Sequence, residues 1–202
     1  MSVVPPATGF YGKIPSRGDF VRAGLPVSFV NAWDAWLQRV LPAARAALAD
    51  DWNDCWMEAP VWRFSLPPGQ CGPERAVGLW MPSVDSAGRH FPLALAMVMP
   101  GEAAPEEEAS QTWLDEAEQA GRDALETDLS PAELCDRLPA PPALRTSPDS
   151  DVGRWWSDGS PRVRAISFLL PALPGSERFA LMLCDQQTSG QTEPLTPAED
   201  AT

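Results

Sequence analysis

Phe91-Pro92-Leu93-Ala94-Leu95-Ala96-Met97-Val98-Met99 is nearly all apolar and carries no charge. A short run of this kind, without polar alternation, predicts a strand covered on both faces and so placed centrally in a sheet. Reading outward, residues 82–90 form a polar loop, and residues 76–81 before it make a second apolar strand candidate. Further upstream Trp62, Phe64 and Leu66 alternate with Arg63 and Ser65. That period of two favours a half-buried strand.

Helices surround these strands in the sequence. Phe29, Val30, Trp33, Trp36, Leu37, Val40 and Leu41 recur at steps of three and four, the signature of an amphipathic helix. Pro42 is expected to end or kink it, with residues 43–49 as a further helical stretch. Glu106, Glu107 and Glu108 stand at the start of a run containing Trp113, Leu114, Ala117, Ala120, Ala124 and Leu125, where carboxylates complement the helix dipole. Ser130-Pro131-Ala132-Glu133 is a capping box with proline at the first helical position, predicting a short helix to about Leu138 that Pro139 and Pro142 stop. Residues 163–170 and 179–184 read as two late strands, paired across residues 171–177. Gly12, Pro15 and Gly18 would each damage a helix interior, so residues 9–20 read as extended or turn-rich. The order helix, three strands, two helices, two strands predicts an α/β or α+β single domain around a mixed sheet. Residues 1–8 are expected to be a flexible lead, 9–185 the domain, and 186–202, rich in Pro, Thr, Glu and Asp, a disordered tail.

A chain of 202 residues suits one domain and should bury roughly 70% of its unfolded surface. The hydrophobic fraction of 44% and nine tryptophans fit a folded protein. The net charge of -13 belongs to the second half: residues 1–100 carry eight acidic and eight basic side chains, residues 101–202 twenty and seven. That balance argues against nucleic acid and against anionic membranes as partners. Cys55, Cys71, Cys135 and Cys184 are scattered and His90 is the only histidine, so neither a zinc site, another cofactor nor a disulfide framework is indicated. The first residues lack a basic flank followed by a long apolar run, which predicts a cytoplasmic protein.

Four polar or aromatic constellations invite a functional reading. Lys13, the only lysine among fifteen Lys and Arg, stands with Ser16, Arg17 and Asp19 in a glycine-rich segment. Two readings are open: a mixed-charge docking surface or anion cradle, and a structural turn in which Asp19 pairs with Arg17. The spacing is not that of a phosphate loop, where Lys and a hydroxyl follow the last glycine directly. Ser83, Asp85, Arg89 and His90 share one loop, too close in sequence for a nucleophilic triad, and no Gly-x-Ser-x-Gly elbow accompanies them. Among the tryptophans, Trp33, Trp36 and Trp62 lie on apolar faces and read as core. Trp155 and Trp156, being consecutive, point to different sides, so one of them is a candidate exposed hot spot. The acidic second half reads as a solubilising surface or as a steering field for a basic partner.

The segment Gly9-Phe-Tyr-Gly-Lys-Ile-Pro-Ser-Arg-Gly-Asp-Phe20, then Trp33-Asp34-Ala35-Trp36-Leu37, then Ala59-Pro60-Val61-Trp62-Arg63-Phe64, then Pro82-Ser83-Val84-Asp85-Ser86-Ala87-Gly88-Arg89-His90-Phe91-Pro92-Leu93, resembles the TagF family of type VI secretion accessory proteins. The resemblance covers most of residues 9–100, with weaker agreement around Trp155 and Trp156. It implies a three-layer α/β/α sandwich. It also implies a non-enzymatic, post-translational repressor of secretion that works in the cytoplasm by sequestering a forkhead-associated scaffold of the Fha type, alongside a kinase and phosphatase pathway. No phosphatase domain such as some relatives carry is seen, so dephosphorylation is not expected. Lys13, Ser16, Arg17, Asp19, Ser83, Asp85, Arg89, Trp155 and Trp156 are the residues expected to meet the partner. A small-molecule or nucleotide-binding domain, and a structural component of the apparatus, are the alternatives.

Overall fold

The computed structural model describes residues 6–99, 103–146 and 151–185; the expectations for most of the lead and for the tail lie outside them. Ala7–Gly12 (β1) and Val21–Ala23 (β2) flank the glycine-rich turn, and Val27–Leu48 (α1) and Trp52–Met57 (α2) follow. Trp62–Leu66 (β3), Arg75–Met81 (β4) and Leu93–Met99 (β5) form the middle of the chain. After them come Ala103–Pro105 (β6), Glu107–Glu126 (α3), Pro131–Arg137 (α4), Leu144–Thr146 (β7), Gly153–Ser157 (β8), Ile166–Leu170 (β9) and Ser176–Leu183 (α5).

Seven strands make one sheet in the order β2-β1-β5-β4-β3-β8-β9, and β6 pairs with β7 apart from it. Every pairing in the large sheet is antiparallel, a departure from the mixed sheet expected. A hairpin-linked chain can place successive strands side by side without a crossover helix, and β1 with β2, β3 with β4, β4 with β5 and β8 with β9 do so through loops. β5 is buried at every position and sits between β1 and β4, as its uniform apolarity predicts.

Alternation along β4 divides the core. Ala76 and Trp80 join Trp33, Trp36, Trp62 and Phe179 in one apolar cluster with residues of α1, α2 and α5. Val77, Leu79 and Met81 join Leu95, Met97, Trp113 and Leu114 in another, with residues of α3 and α4. Covering both faces changes the reading of β3. Arg63, expected to face water, is buried, and its guanidinium meets Glu118 and Asp115 of α3, each at 2.8 Å.

Three further elements differ from expectation. α1 runs unbroken through Pro42, because its apolar face continues to Ala44 and Leu48 and packing outweighs one lost hydrogen bond. Residues 179–184 are mostly helix, not strand: Phe179, Met182 and Leu183 are buried at helical spacing. Trp36 and Trp62 donate their indole N–H groups to the carbonyls of Pro174 and Met182, at 2.7 and 2.9 Å, and tie that helix down. β8, a strand not among those expected, inserts between β3 and β9. The capping box at Ser130 forms as expected, with both reciprocal hydrogen bonds.

Candidate functional site

Strand register brings the two signature loops together. Tyr11 of β1 lies opposite Ala94 of β5, and Met81 at the end of β4 lies opposite Leu93. The chain therefore leaves β1 into residues 13–20 at the same end of the sheet where residues 82–92 connect β4 to β5. Gly12 is required there: its φ is +150°, and a Cβ would lie 2.1 Å from the Pro92 carbonyl oxygen.

Lys13 and Asp85 meet as a buried ion pair between the loops. Asp85 is the hub. Its Oδ1 accepts the backbone N–H groups of Ala87 and Arg89, both at 2.9 Å, and its Oδ2 accepts Lys13 Nζ and Arg89 Nε, the latter at 2.6 Å. Burial opposes ionisation of this carboxyl, but the hydrogen bonds from Lys13, Arg89 and Ala87 outweigh it and hold it well below the usual carboxylate range. Gly88, at φ +75°, closes the turn by donating to the Asp85 carbonyl at 2.9 Å.

Backbone bonds complete the clasp. Ser83 Oγ donates to the Lys13 carbonyl at 2.7 Å, Ser86 N–H to the Arg17 carbonyl at 3.1 Å, and Arg89 Nη2 to the Gly18 carbonyl at 2.5 Å. Aromatic contacts follow the same line: Phe20 stacks on Tyr11 and meets Phe91 edge-on, with centroids 5.7 and 4.7 Å apart. Lys13 Nζ lies 5.0 Å from the centre of the half-exposed Phe20 ring. Tyr11 donates its phenol to Asp34 of α1 at 2.6 Å, anchoring the turn to the helix.

The nine residues expected at the partner surface thus divide. Lys13, Ser83 and Asp85 are buried in the clasp, not exposed as a surface reading of these groups expects. Trp155 is also corrected: it is fully buried among Trp33, Trp36 and Phe64. Arg17, Asp19 and Arg89 are exposed and Ser16 half-buried, with Ser16 Oγ donating to the Leu129 carbonyl at 2.7 Å. Arg17 and Asp19 form no ion pair; Arg17 Nη1 donates to the Ser16 carbonyl at 3.0 Å. Trp156 is half-buried on the opposite face of its strand, with the Arg154 guanidinium 4.8 Å from its ring centre.

His90 has a structural place that its isolation in the sequence did not suggest. Trp52 Nε1 donates to His90 Nδ1 at 3.0 Å, and the ring packs on Trp52 and Trp56. An imidazole accepting at Nδ1 is neutral. Burial and then the charge of Arg45 push its pKa down, in keeping with that role. Sequence reasoning also missed the Arg63–Glu118–Arg122 network, in which Glu118 accepts from Arg122 at 2.7 Å. Arg63 within an apolar strand was the available signal. Beside the clasp, Pro15, Met57, Pro82, Val84 and Leu125 line a cavity of about 150 Å³.

Fold and site together define an α/β domain whose two signature loops are locked by a buried lysine–aspartate–arginine clasp. The model of the TagF N-terminal domain, type VI secretion system-associated, matches residues 9–140, and the chain belongs to that family. It is therefore a type VI secretion-associated protein. Among solved structures it is similar to PA0076 from Pseudomonas aeruginosa PAO1, with 31% identity over 96% of this chain and 100% of that chain and a TM-score of 0.76. No curated protein matches it. Among the described residues, no helix is long and apolar enough to cross a membrane.

Proposed function

We propose that this protein is a non-enzymatic, post-translational repressor of type VI secretion that binds and sequesters a cytoplasmic scaffold of the forkhead-associated type. The observation that carries the reading is how the signature motifs use their polar groups. Lys13, Ser83 and Asp85 are consumed in holding two loops in one shape, while Arg17, Asp19, Phe20 and the Arg89 side chain are left on its outer surface. A rigid, pre-shaped surface lowers the ordering cost of association, which is what an inhibitor acting by occupancy needs. Helices on both sides of the sheet, each over its own apolar cluster, support the three-layer α/β/α arrangement that presents it.

Co-purification with the scaffold and a secretion assay test the reading. Overproduction is expected to lower secretion and deletion to raise it. Loss of secretion on deletion would instead make the protein a structural component of the apparatus.

A further inference from the structure

We propose that the outer edge of β9, with the groove between it and α5, is a docking site for an extended, acidic segment of a protein partner, which adds to the sheet as a further strand. β9 is the last strand of the sheet, and among the described residues nothing pairs with its outer edge. Its sequence, Ile166-Ser167-Phe168-Leu169-Leu170, holds no charge and no proline, the usual devices that blunt an exposed edge. The opposite edge differs: β2 has three residues, with Arg22 at its middle.

Next to the β9 edge is a groove of about 290 Å³, its floor formed by Trp62, Ile166, Phe168 and Met182. Leu169 and Leu181, 62% and 47% exposed, stand among the few large apolar side chains left in water among the described residues: Leu181 lines this groove, and Leu169 lies on the other face of β9 beside Val152 and Trp156. Charge selects the occupant. In a chain of net charge -13, the groove is bordered by two exposed arginines, Arg164 and Arg178, against one half-buried carboxylate, Asp185. The Arg178 guanidinium lies 5.2 Å from the Phe168 ring centre, and Arg164, paired at 3.4 Å with Asp185, keeps most of its side chain in water. Every second side chain of an incoming strand faces the groove, so carboxylates and apolar residues taking turns on that one face would meet the two arginines and the apolar floor. A second copy fits less well. Two-fold pairing of β9 with itself would set these arginines against their equivalents and bring together two chains of the same net charge.

The test uses the purified full chain and the fluorescent peptide Val-Thr-Glu-Thr-Val-Thr-Glu-Thr, which sets valine and glutamate on one face of a strand, with lysine in place of glutamate in the control peptide. The acidic peptide is expected to bind, more weakly as salt rises, and to slow amide exchange at residues 166–170. Arg164→Glu with Arg178→Glu should weaken it about tenfold or more, and Leu169→Asp should weaken it too. All three positions are exposed, so unchanged thermal midpoints separate lost binding from lost fold. Equal binding by the variants or by the lysine peptide overturns the proposal. So does a dimer that Leu169→Asp dissolves, which makes a second copy the occupant, or slow exchange at 166–170 in the free chain that disappears on removing residues 186–202, which assigns the edge to the chain's own tail. The surface deepens the repressor reading but fails separately from it: a scaffold that co-purifies equally with wild type and the double arginine variant leaves the reading intact and sinks this surface, whereas no scaffold binding beside normal peptide binding does the reverse.

Discussion

Lys13 holds its ammonium against Asp85 beneath the ring of Phe20, and no other side chain satisfies both demands. An arginine fork is wider and planar; a neutral side chain leaves a carboxylate buried with one fewer donor. Lys13→Met is therefore expected to lower the urea midpoint markedly, and the double variant Lys13→Met with Asp85→Leu to lower it further, because Asp85 also accepts the backbone N–H groups of Ala87 and Arg89. A double variant more stable than the single would show that the desolvation cost of the pair outweighs those hydrogen bonds. Protonation gives a second handle. Asp85 titrates lower in the folded protein than unfolded, so its stabilisation is present at neutral pH and is lost as pH falls below about 4. His90 is likewise lowered on folding, so its contribution is present above about pH 6.5 and declines on acidification. Urea midpoints measured between pH 7 and 5 should fall, and His90→Asn, which keeps an acceptor for Trp52, should flatten that slope.

Among the elements, α1 and β8 show packing overruling local preference. Pro42 lies inside α1 and removes the hydrogen bond its position would donate to the Gln38 carbonyl. Pro42→Ala should stabilise the protein by about 1 kcal/mol, the regained helical bond being partly offset by a more flexible unfolded chain; thermal unfolding reads this directly. In β8 the two tryptophans face opposite ways, as two consecutive strand residues must. Which one is core depends on neighbours. Trp155 falls on the face filled by α1 and α5, and Trp155→Ala should cost about 3–5 kcal/mol. Trp156 falls under Arg154 at the margin of the other face, and its alanine variant should cost less than half as much. Equal losses would mean that Trp156 carries core packing that its partial exposure hides.

At the scale of the molecule, the excess negative charge opposes compaction, and salt should relieve it. Raising ionic strength from about 0.01 to 0.15 M shortens the screening length from about 30 to about 8 Å, and the thermal midpoint should rise by a few degrees; a fall would show that ion pairs such as Arg63 with Glu118 outweigh the repulsion. Most elements were legible because they depend on contacts within a few residues. The uniform apolarity of residues 93–99, the three-and-four spacing from Phe29 to Val40 and the capping box at Ser130 carry their geometry in local sterics and hydrogen bonding. The apolar run 179–184 lacked a period that would separate helix from strand, and the burial of Phe179, Met182 and Leu183 against the tryptophans of α1 and β3 decides for helix. The site was half legible. Its loops could be located by composition, yet whether Lys13 and Asp85 faced a partner or each other depended on residues 72 positions apart meeting. The sequence by itself determined the α/β class, the central strands and the family. The tertiary structure alone decided the antiparallel topology, the burial of Arg63 and Trp155 and the closing of the clasp, because each of these rests on strand order and register, which bring distant segments together and leave no local signature.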